Sequence, residues 1–320
     1  MIGTALALAL AASHPGHADW RRIEIVESPA PLSERFEGAR IGGLRLVSSF
    51  ALTAEDEAFG GYSGLSVSAD GARLLAVSDD ASWLRAEIIR DDAGAISDLT
   101  SAYIAPITDA DGHVFERKED GDAEGLVVVG DEAVVSFERR HRIQRHSLRE
   151  GDLPHTATIA VPESLASKPS NSGVESLEVL PDGRYLLLAE RLRPKPDFTT
   201  GWIGGPGGWE TFAYRPEAEH SPTDMALSLD GKHAYVVERA YSRAKGVRAR
   251  IVHIALHDVI SGSDVEGVEL MRFERGVPID NFEALAVAPG PDGRERLYLM
   301  SDDNFSSIQR TLLLEFEVVD

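Results

Sequence analysis

Eleven carboxylates recur at matching places along this 320-residue chain. Glu124, Glu175, Asp224 and Glu283 each open a short apolar alternation, and Asp79, Asp80, Glu138, Glu190, Glu238, Asp302 and Asp303 each close one. Arg139, Arg191 and Arg239 stand directly after three of the closing Glu. Oxygen-only clusters suit hard cations: Ca²⁺ takes about six to eight oxygen ligands in flexible geometry, and Mg²⁺ also uses carboxylates. There is no Cys in the chain and no His at the repeated positions, so zinc fits poorly. The same acids have a second use, as partners of the three Arg in ion pairs that lock neighbouring elements together. Crowded like charges cost several kcal/mol each when buried unpaired, so one form of neutralisation or the other is required.

The elements that must position these acids repeat as well. Five segments read as the same hairpin, beginning near Tyr62, Ala123, Val174, Thr223 and Phe282. Ser63 occupies the opening place in the first. Four of the turns carry Asp-Gly (Asp70-Gly71, Asp182-Gly183, Asp230-Gly231 and Asp292-Gly293), and Gly130-Asp131 is a degenerate fifth. Gly supplies the positive φ of a tight hairpin, which accounts for these Asp as turn formers rather than ligands. Further β-rich stretches follow each hairpin, and four short antiparallel strands per repeat is the pattern of a propeller blade. The expected fold is therefore all-β: a single β-propeller, residues 39–320, with five blades favoured and six still open. The last repeat lacks an outer strand, and residues 39–52 are expected to supply it, closing the ring and removing open edges. In a hairpin the start of the first strand and the end of the second share one edge, so the acids should ring the mouth of the central channel.

Composition narrows the partners. Lys plus Arg number 32 against 53 Asp plus Glu, a formal charge of −21. Gripping nucleic acid or an anionic membrane needs clustered cations, and this balance argues against both. No apolar run reaches the length of a membrane span. Met1 to Ala18, largely Ala and Leu, reads as a signal peptide cut near Ala18, although the usual basic residue ahead of the apolar stretch is missing. The alternative is an apolar helix retained on a soluble protein. A periplasmic or secreted location is expected, with a monomer favoured.

Several motifs, in order, are similar to those of the phytase-like family, also called esterase-like activity of phytase. They are Gly60-Gly61-Tyr62-Ser63-Gly64-Leu65, Asp122-Ala-Glu124-Gly125-Leu126, Ser136-Phe-Glu138-Arg139, Gly173-Val-Glu175-Ser-Leu177, Leu188-Ala-Glu190-Arg191, Asp280-Asn281-Phe282-Glu283-Ala-Leu285, Ser301-Asp-Asp-Asn-Phe305 and Gln309-Arg-Thr-Leu-Leu313. The resemblance runs from about Arg45 to the C-terminus. It implies an exported bacterial β-propeller and, through the β-propeller phytases, a calcium-dependent hydrolase of phosphoesters. It implies Glu124, Glu175, Asp224, Glu283, Asp302 and Asp303 as an acidic rim, and Arg139, Arg191 and Arg239 as phosphate binders. No Lys stands at any of the five repeated strand ends, which points away from phytate and towards a smaller phosphoester or carboxylic ester.

The expected chemistry is metal-assisted hydrolysis of a small anionic ester. Glu124, Glu175 and Glu283 serve at the cation, and the three Arg stabilise the developing oxyanion. A non-catalytic binding or scaffold propeller with structural calcium is the alternative, because propellers host many functions; a lyase or lactonase on the same metal is a third. Ser63 is not in a Gly-x-Ser-x-Gly elbow and reads as a polar rim residue. Asp109-Ala-Asp111-Gly112 resembles part of a calcium loop but reads more simply as a solvated acidic turn. Trp202-Ile-Gly-Gly-Pro-Gly-Gly-Trp209 reads as a lip over the mouth or a plain connection. His141, His146 and His155 read as surface residues.

Overall fold

The computed structural model describes residues 19–30, 40–149, 151–167, 173–273 and 277–319, so Met1 to Ala18, read above as a signal peptide, lies outside the described residues. Five sheets, antiparallel but for one parallel edge strand on the third, radiate from one axis. Their inner strands are Tyr62–Val67, Ala123–Val129, Val174–Val179, Ser221–Leu227 and Asn281–Pro289. Each packs on the next in chain order, and the fifth packs on the first, giving a closed ring of blades 1 to 5. Val, Leu, Ala and Met on both faces of these strands make each sheet a two-sided wedge. Accordingly the core is five apolar slabs, each between two neighbouring blades.

Closure occurs in blade 5, where Leu44–Thr53 pairs with Thr311–Val318. The sheets also begin earlier than residue 39. Val26–Pro29 adds outside Leu44–Thr53, and Arg21–Arg22 adds outside Ile96–Pro106 of blade 1. The strap between them ties the two blades that chain closure must hold.

Second strands run from the Asp-Gly turns back to the rim: Arg73–Ser78, Glu132–Phe137, Tyr185–Ala189, His233–Ser242 and Glu295–Asp302. The turn glycines Gly71, Gly183, Gly231 and Gly293 hold φ of 67, 85, 65 and 78°, which side chains with a Cβ seldom adopt. The crossing from each blade to the next in chain order arrives at the rim end, whereas residues 256–263 leave blade 4 at the Asp-Gly end and lead to Asp264–Glu266 on the edge of blade 3. That end therefore gathers strand starts, strand ends and the longest loops.

Candidate functional site: an acidic ring at the channel mouth

One device aims the rim residues. In every blade the pairing between inner and second strand slips by one residue just inside the rim. Tyr62 pairs with Ser78 and Gly64 with Val77, leaving Ser63 extra; Val174 pairs with Ala189 and Ser176 with Leu188, leaving Glu175 extra. Phe282 pairs with Ser301 and Ala284 with Met300, leaving Glu283 extra, and in blade 2 Glu124 and Gly125 together oppose Ser136. A β-bulge of this kind re-aims the extra side chain out of the pleat. Small residues follow the bulge because the strands crowd there: a Cβ on Gly64 would sit 2.6 Å from the Glu124 carbonyl oxygen, and one on Gly125 3.1 Å from that of Glu175.

Blade 4 departs from the sequence expectation. Pro222 pairs with Glu238 and Asp224 with Val237, so the extra residue is Thr223, not Asp224. Asp224 lies one position on, 1% exposed, in the seam to blade 5. Its Oδ1 accepts the Met225 N–H at 2.8 Å and its Oδ2 the Leu285 N–H at 2.6 Å. The same slip moves the second strand. Glu238, fully buried, turns into the blade, where it accepts from Tyr214 Oη at 2.6 Å, Arg250 Nε at 2.8 Å and the Glu217 N–H at 2.9 Å. Arg239 thereby takes the place held by Asp79, Glu138, Glu190 and Asp302 in the other blades. Asp224 and Glu238 are thus blade-holding groups rather than rim ligands, and Arg239 is a cation inside the ring. Its Nη2 donates to Glu283 Oε1 at 2.7 Å.

The remaining rim acids divide by partner. Asp303 is consumed by the Gly61 N–H at 3.1 Å, the Phe305 N–H at 3.0 Å and Thr311 Oγ1 at 3.0 Å, pinning blade 5 to blade 1. Asp80 is exposed. Arg191, 58% exposed, pairs with Glu190 at 2.6 Å, and Arg139 pairs with Asp122. Two members were not placed on the rim by the sequence, where Asp122 reads as part of an acidic loop and Lys118 carries no role. Asp122 precedes the Glu124 bulge, and Lys118, on the one-turn helix Lys118–Gly121, reaches Asp79 Oδ2 at 2.5 Å and Asp122 Oδ1 at 3.2 Å. The run Arg117-Lys-Glu-Asp-Gly-Asp122 just before the second repeat was the available signal.

Lys118 at blades 1 and 2 and Arg239 at blades 4 and 5 are built-in counter-ions. Between them, carboxylate oxygens of Asp122, Glu124 and Glu138 lie within 4.8 Å of one another, and the Glu175 carboxyl is close enough to lower that of Glu138. Burial and then Glu138, Asp122, Glu283 and Asp79 push the Glu124 carboxyl well above its ordinary range. Glu175 is pushed up by burial, then by Glu124 and Glu138. Glu138 rises to about 7, chiefly from burial, against the opposing Glu175 carboxyl and Gly173 N–H. Burial also lifts Asp302 to about 7, and it lifts Glu283 to about 7 despite Arg239. Asp79 Oδ1 and Glu283 Oε2 have no hydrogen-bond partner among the described residues. An all-oxygen set with raised carboxyls and orphaned acceptors fits a hard divalent cation.

The remaining expectations divide: Ser63 and Asp109 fall where expected, and His146 does not. Ser63 is buried at the first bulge. The Gly-rich segment forms the hairpin Thr199–Gly205 and Gly208–Arg215, and Gly204 lies beside Tyr185 at the Asp-Gly end, away from the mouth. It is a connection, not a lip. Asp109 Oδ1 accepts the Asp111 and His113 N–H groups, each at 2.9 Å, as a turn former. His146 is fully buried, its ring 5.2 Å from Trp83 and 5.8 Å from His155. Burial lowers it to about 4.

Residues 57–305 match the phytase-like family, described as esterase-like activity of phytase. The chain belongs to that family. No curated protein matches this phytase-like chain. Solved structures with a similar trace include a thermostable family-43 glycoside hydrolase, at 9% identity and TM-score 0.47, covering 80% of this chain and 89% of that one. Another is the PQQ-bound aldose sugar dehydrogenase of Streptomyces coelicolor, at 13% identity and TM-score 0.45, covering 91% and 100%. A third is the β-propeller domain of Cps50 (Swd1) from Myceliophteria thermophila, at 11% identity and TM-score 0.38, covering 96% and 100%.

Proposed function

We propose that this phytase-like propeller hydrolyses a phosphoester or related small ester at the acidic mouth, with a hard divalent cation, calcium or magnesium, held by Asp122, Glu124, Glu138 and Glu175. The observation that carries this reading is the cluster of three carboxylates within 4.8 Å, set beside the cations Lys118 and Arg139. Such an ion, when bound, supplies Lewis acidity towards a phosphoryl or acyl oxygen. The chain's own groups do the rest. Arg139 and Arg191, 37% and 58% exposed, offer their remaining N–H groups to an incoming anion and to charge developing on it. Glu283, outside that ligand set and with its carboxyl near 7, holds or releases a proton at neutral pH, as a general acid or base must.

A scaffold reading with a structural cation is favoured by one fact. Glu124 and Glu138 come from blade 2 and Glu175 from blade 3, so an ion among them would clamp two blades. Hydrolysis of p-nitrophenyl phosphate and p-nitrophenyl acetate, with calcium or with chelator, separates the two. Turnover of either ester that falls with chelator and in Glu124→Gln is the expected result. No turnover of either ester in either condition overturns the hydrolase reading, and a calcium-dependent rise in Tm without turnover selects the clamp. Export belongs to the same proposal, and fractionating cells that express the full chain tests it.

A further inference from the structure

Between Glu238 and Asp258 the chain carries five Arg or Lys and no acid, although its overall charge is −21. This segment is the second hairpin of blade 4, His233–Ser242 with Gly246–Ala255, paired out to Ser242 and Gly246. It runs three residues past Arg239, so its tip stands on the order of 10 Å above the ring. Tyr241 at the tip is 64% exposed. Lys245 and Arg248 share Glu219, whereas Arg243 has no ion pair among the described residues.

A complementary feature lies on the same face. The crossing from blade 1 to blade 2, residues 107–122, exposes Asp111 and Glu116, neither with a cationic partner among the described residues, together with Val114, 54% exposed. Blade 4 faces the junction of blades 1 and 2 across the channel, as the order of a closed five-membered ring requires. Basic hairpin and acidic crossing therefore occupy opposite sides of one face.

The geometry points to this rim face as the docking surface for a second copy of this chain. A twofold axis in the plane of the face lays each hairpin on the other copy's acidic crossing. Arg243 and Lys245 meet Asp111 and Glu116, Tyr241 meets Val114, and every contact is made twice. Such an isologous interface closes at a dimer. Phe305 and Ile308, 46% and 89% exposed on the adjacent blade 5 loop, add apolar surface to the same face, and contiguous exposed apolar surface marks interaction sites. An unrelated acidic partner would satisfy the hairpin alone; a second copy satisfies the hairpin and the crossing together. The two mouths then open into one enclosed space that admits small molecules. None of this rests on the hydrolase reading.

The charges also set the salt dependence. Two strongly acidic bodies repel at low ionic strength, and the local pairs are screened at high ionic strength. Association should be strongest near about 0.15 M salt and lost near about 1 M, where the Debye length is roughly 3 Å. Sedimentation equilibrium of the full chain at micromolar concentrations should give twice the monomer mass at the intermediate salt. R243E/K245E and D111K/E116K should each be monomeric alone, and an equimolar mixture should form a heterodimer, because each variant's altered element meets its complement. Both substitution pairs lie at exposed positions, and circular dichroism confirms the fold. Milder R243Q/K245Q should weaken the dimer without abolishing it. A monomer at every salt, or a dimer that both variants retain, overturns the proposal.

Discussion

Arg239 Nη2 lies 2.7 Å from Glu283 Oε1, joining blade 4 to blade 5 from a strand-end position that the other four blades fill with carboxylates. Both side chains are nearly buried, at 16% and 12% exposure, so solvent screens the pair little. Removing one partner of such a pair leaves an uncompensated charge and costs about 3 kcal/mol. Arg239→Gln should therefore lower stability in urea by about that amount, and added calcium should recover more stability in the variant than in the parent. Arg191→Gln is the control. Arg191 is 58% exposed against Glu190, and its loss should cost less than about 1 kcal/mol. Equal losses in the two variants would show that Arg239 is not the internal counter-ion.

Asp224 resembles Glu124 and Glu175 in sequence but does different work. Its two oxygens take N–H groups from Met225 in its own strand and Leu285 in the next blade, at 2.8 and 2.6 Å. Asp224→Ala strands two buried donors, at about 1 to 3 kcal/mol each. Chemical denaturation should show a loss of about 2 to 6 kcal/mol, while calcium binding by calorimetry stays near the parent value. Glu124→Gln should do the reverse. A folded Asp224→Ala that no longer binds calcium would return Asp224 to the ligand set.

The blade 4 slip explains why the repeats were legible and their register was not. Blade number, ring closure and the rim location of the acids follow from alternation and turn residues, which fix strand partners locally. Register depends on turn length. Ser68-Ala-Asp-Gly71 and Ser228-Leu-Asp-Gly231 make the same turn, with Ser Oγ on Asp Oδ1 in both. Counting on from those two Ser sets Arg239 opposite Asp79, so the slip was present in the sequence. The Glu-Arg dipeptide shared by three of the repeats masks it. A one-residue slip turns every side chain to the other face, which is why Glu238 and Asp224 both left the ring. The burial of His146 had no comparable signal, and the charged run 117–122 marks Lys118 without its partner Asp79, because each depends on a contact between separate blades or layers.

The raised carboxyls give stability a particular pH dependence. Glu138, Glu283 and Asp302 move up to about 7, and Glu124 and Glu175 move up as well. A carboxyl with a higher pKa folded than unfolded binds more protons in the folded state. Its contribution is fully present below its ordinary value of 4.5 and is lost as pH rises to about 7. His146, lowered to about 4 from 6.5, opposes this, losing stability as pH falls through the same window. Five shifted acids against one strongly shifted imidazole leave a net rise. In chelator, Tm should be higher at about pH 6 than at about pH 8, and His146→Gln should steepen the difference if it folds. Saturating calcium should flatten it, because an ion stabilises the charged carboxylates. A Tm that climbs with pH in chelator would mean that the ring is already neutralised by the chain's own Arg and Lys.

Lys118 tests whether the built-in cations compete with an added one. Its Nζ sits 2.5 Å from Asp79 Oδ2, 3.0 Å from the Asp79 carbonyl oxygen and 3.2 Å from Asp122 Oδ1. Asp122 is also one of the three clustered carboxylates. A fixed ammonium there repels a divalent ion at the neighbouring oxygens, by about 1 kcal/mol or more at the effective dielectric of a protein surface. Lys118→Met keeps the aliphatic stem and removes the charge. Calcium affinity measured by calorimetry at low salt should rise about fivefold, and stability in chelator should fall, because Asp79 and Asp122 then face each other without a counter-ion. Weaker calcium binding in Lys118→Met would show the opposite role: a side chain that holds Asp79 and Asp122 in the geometry the ion needs.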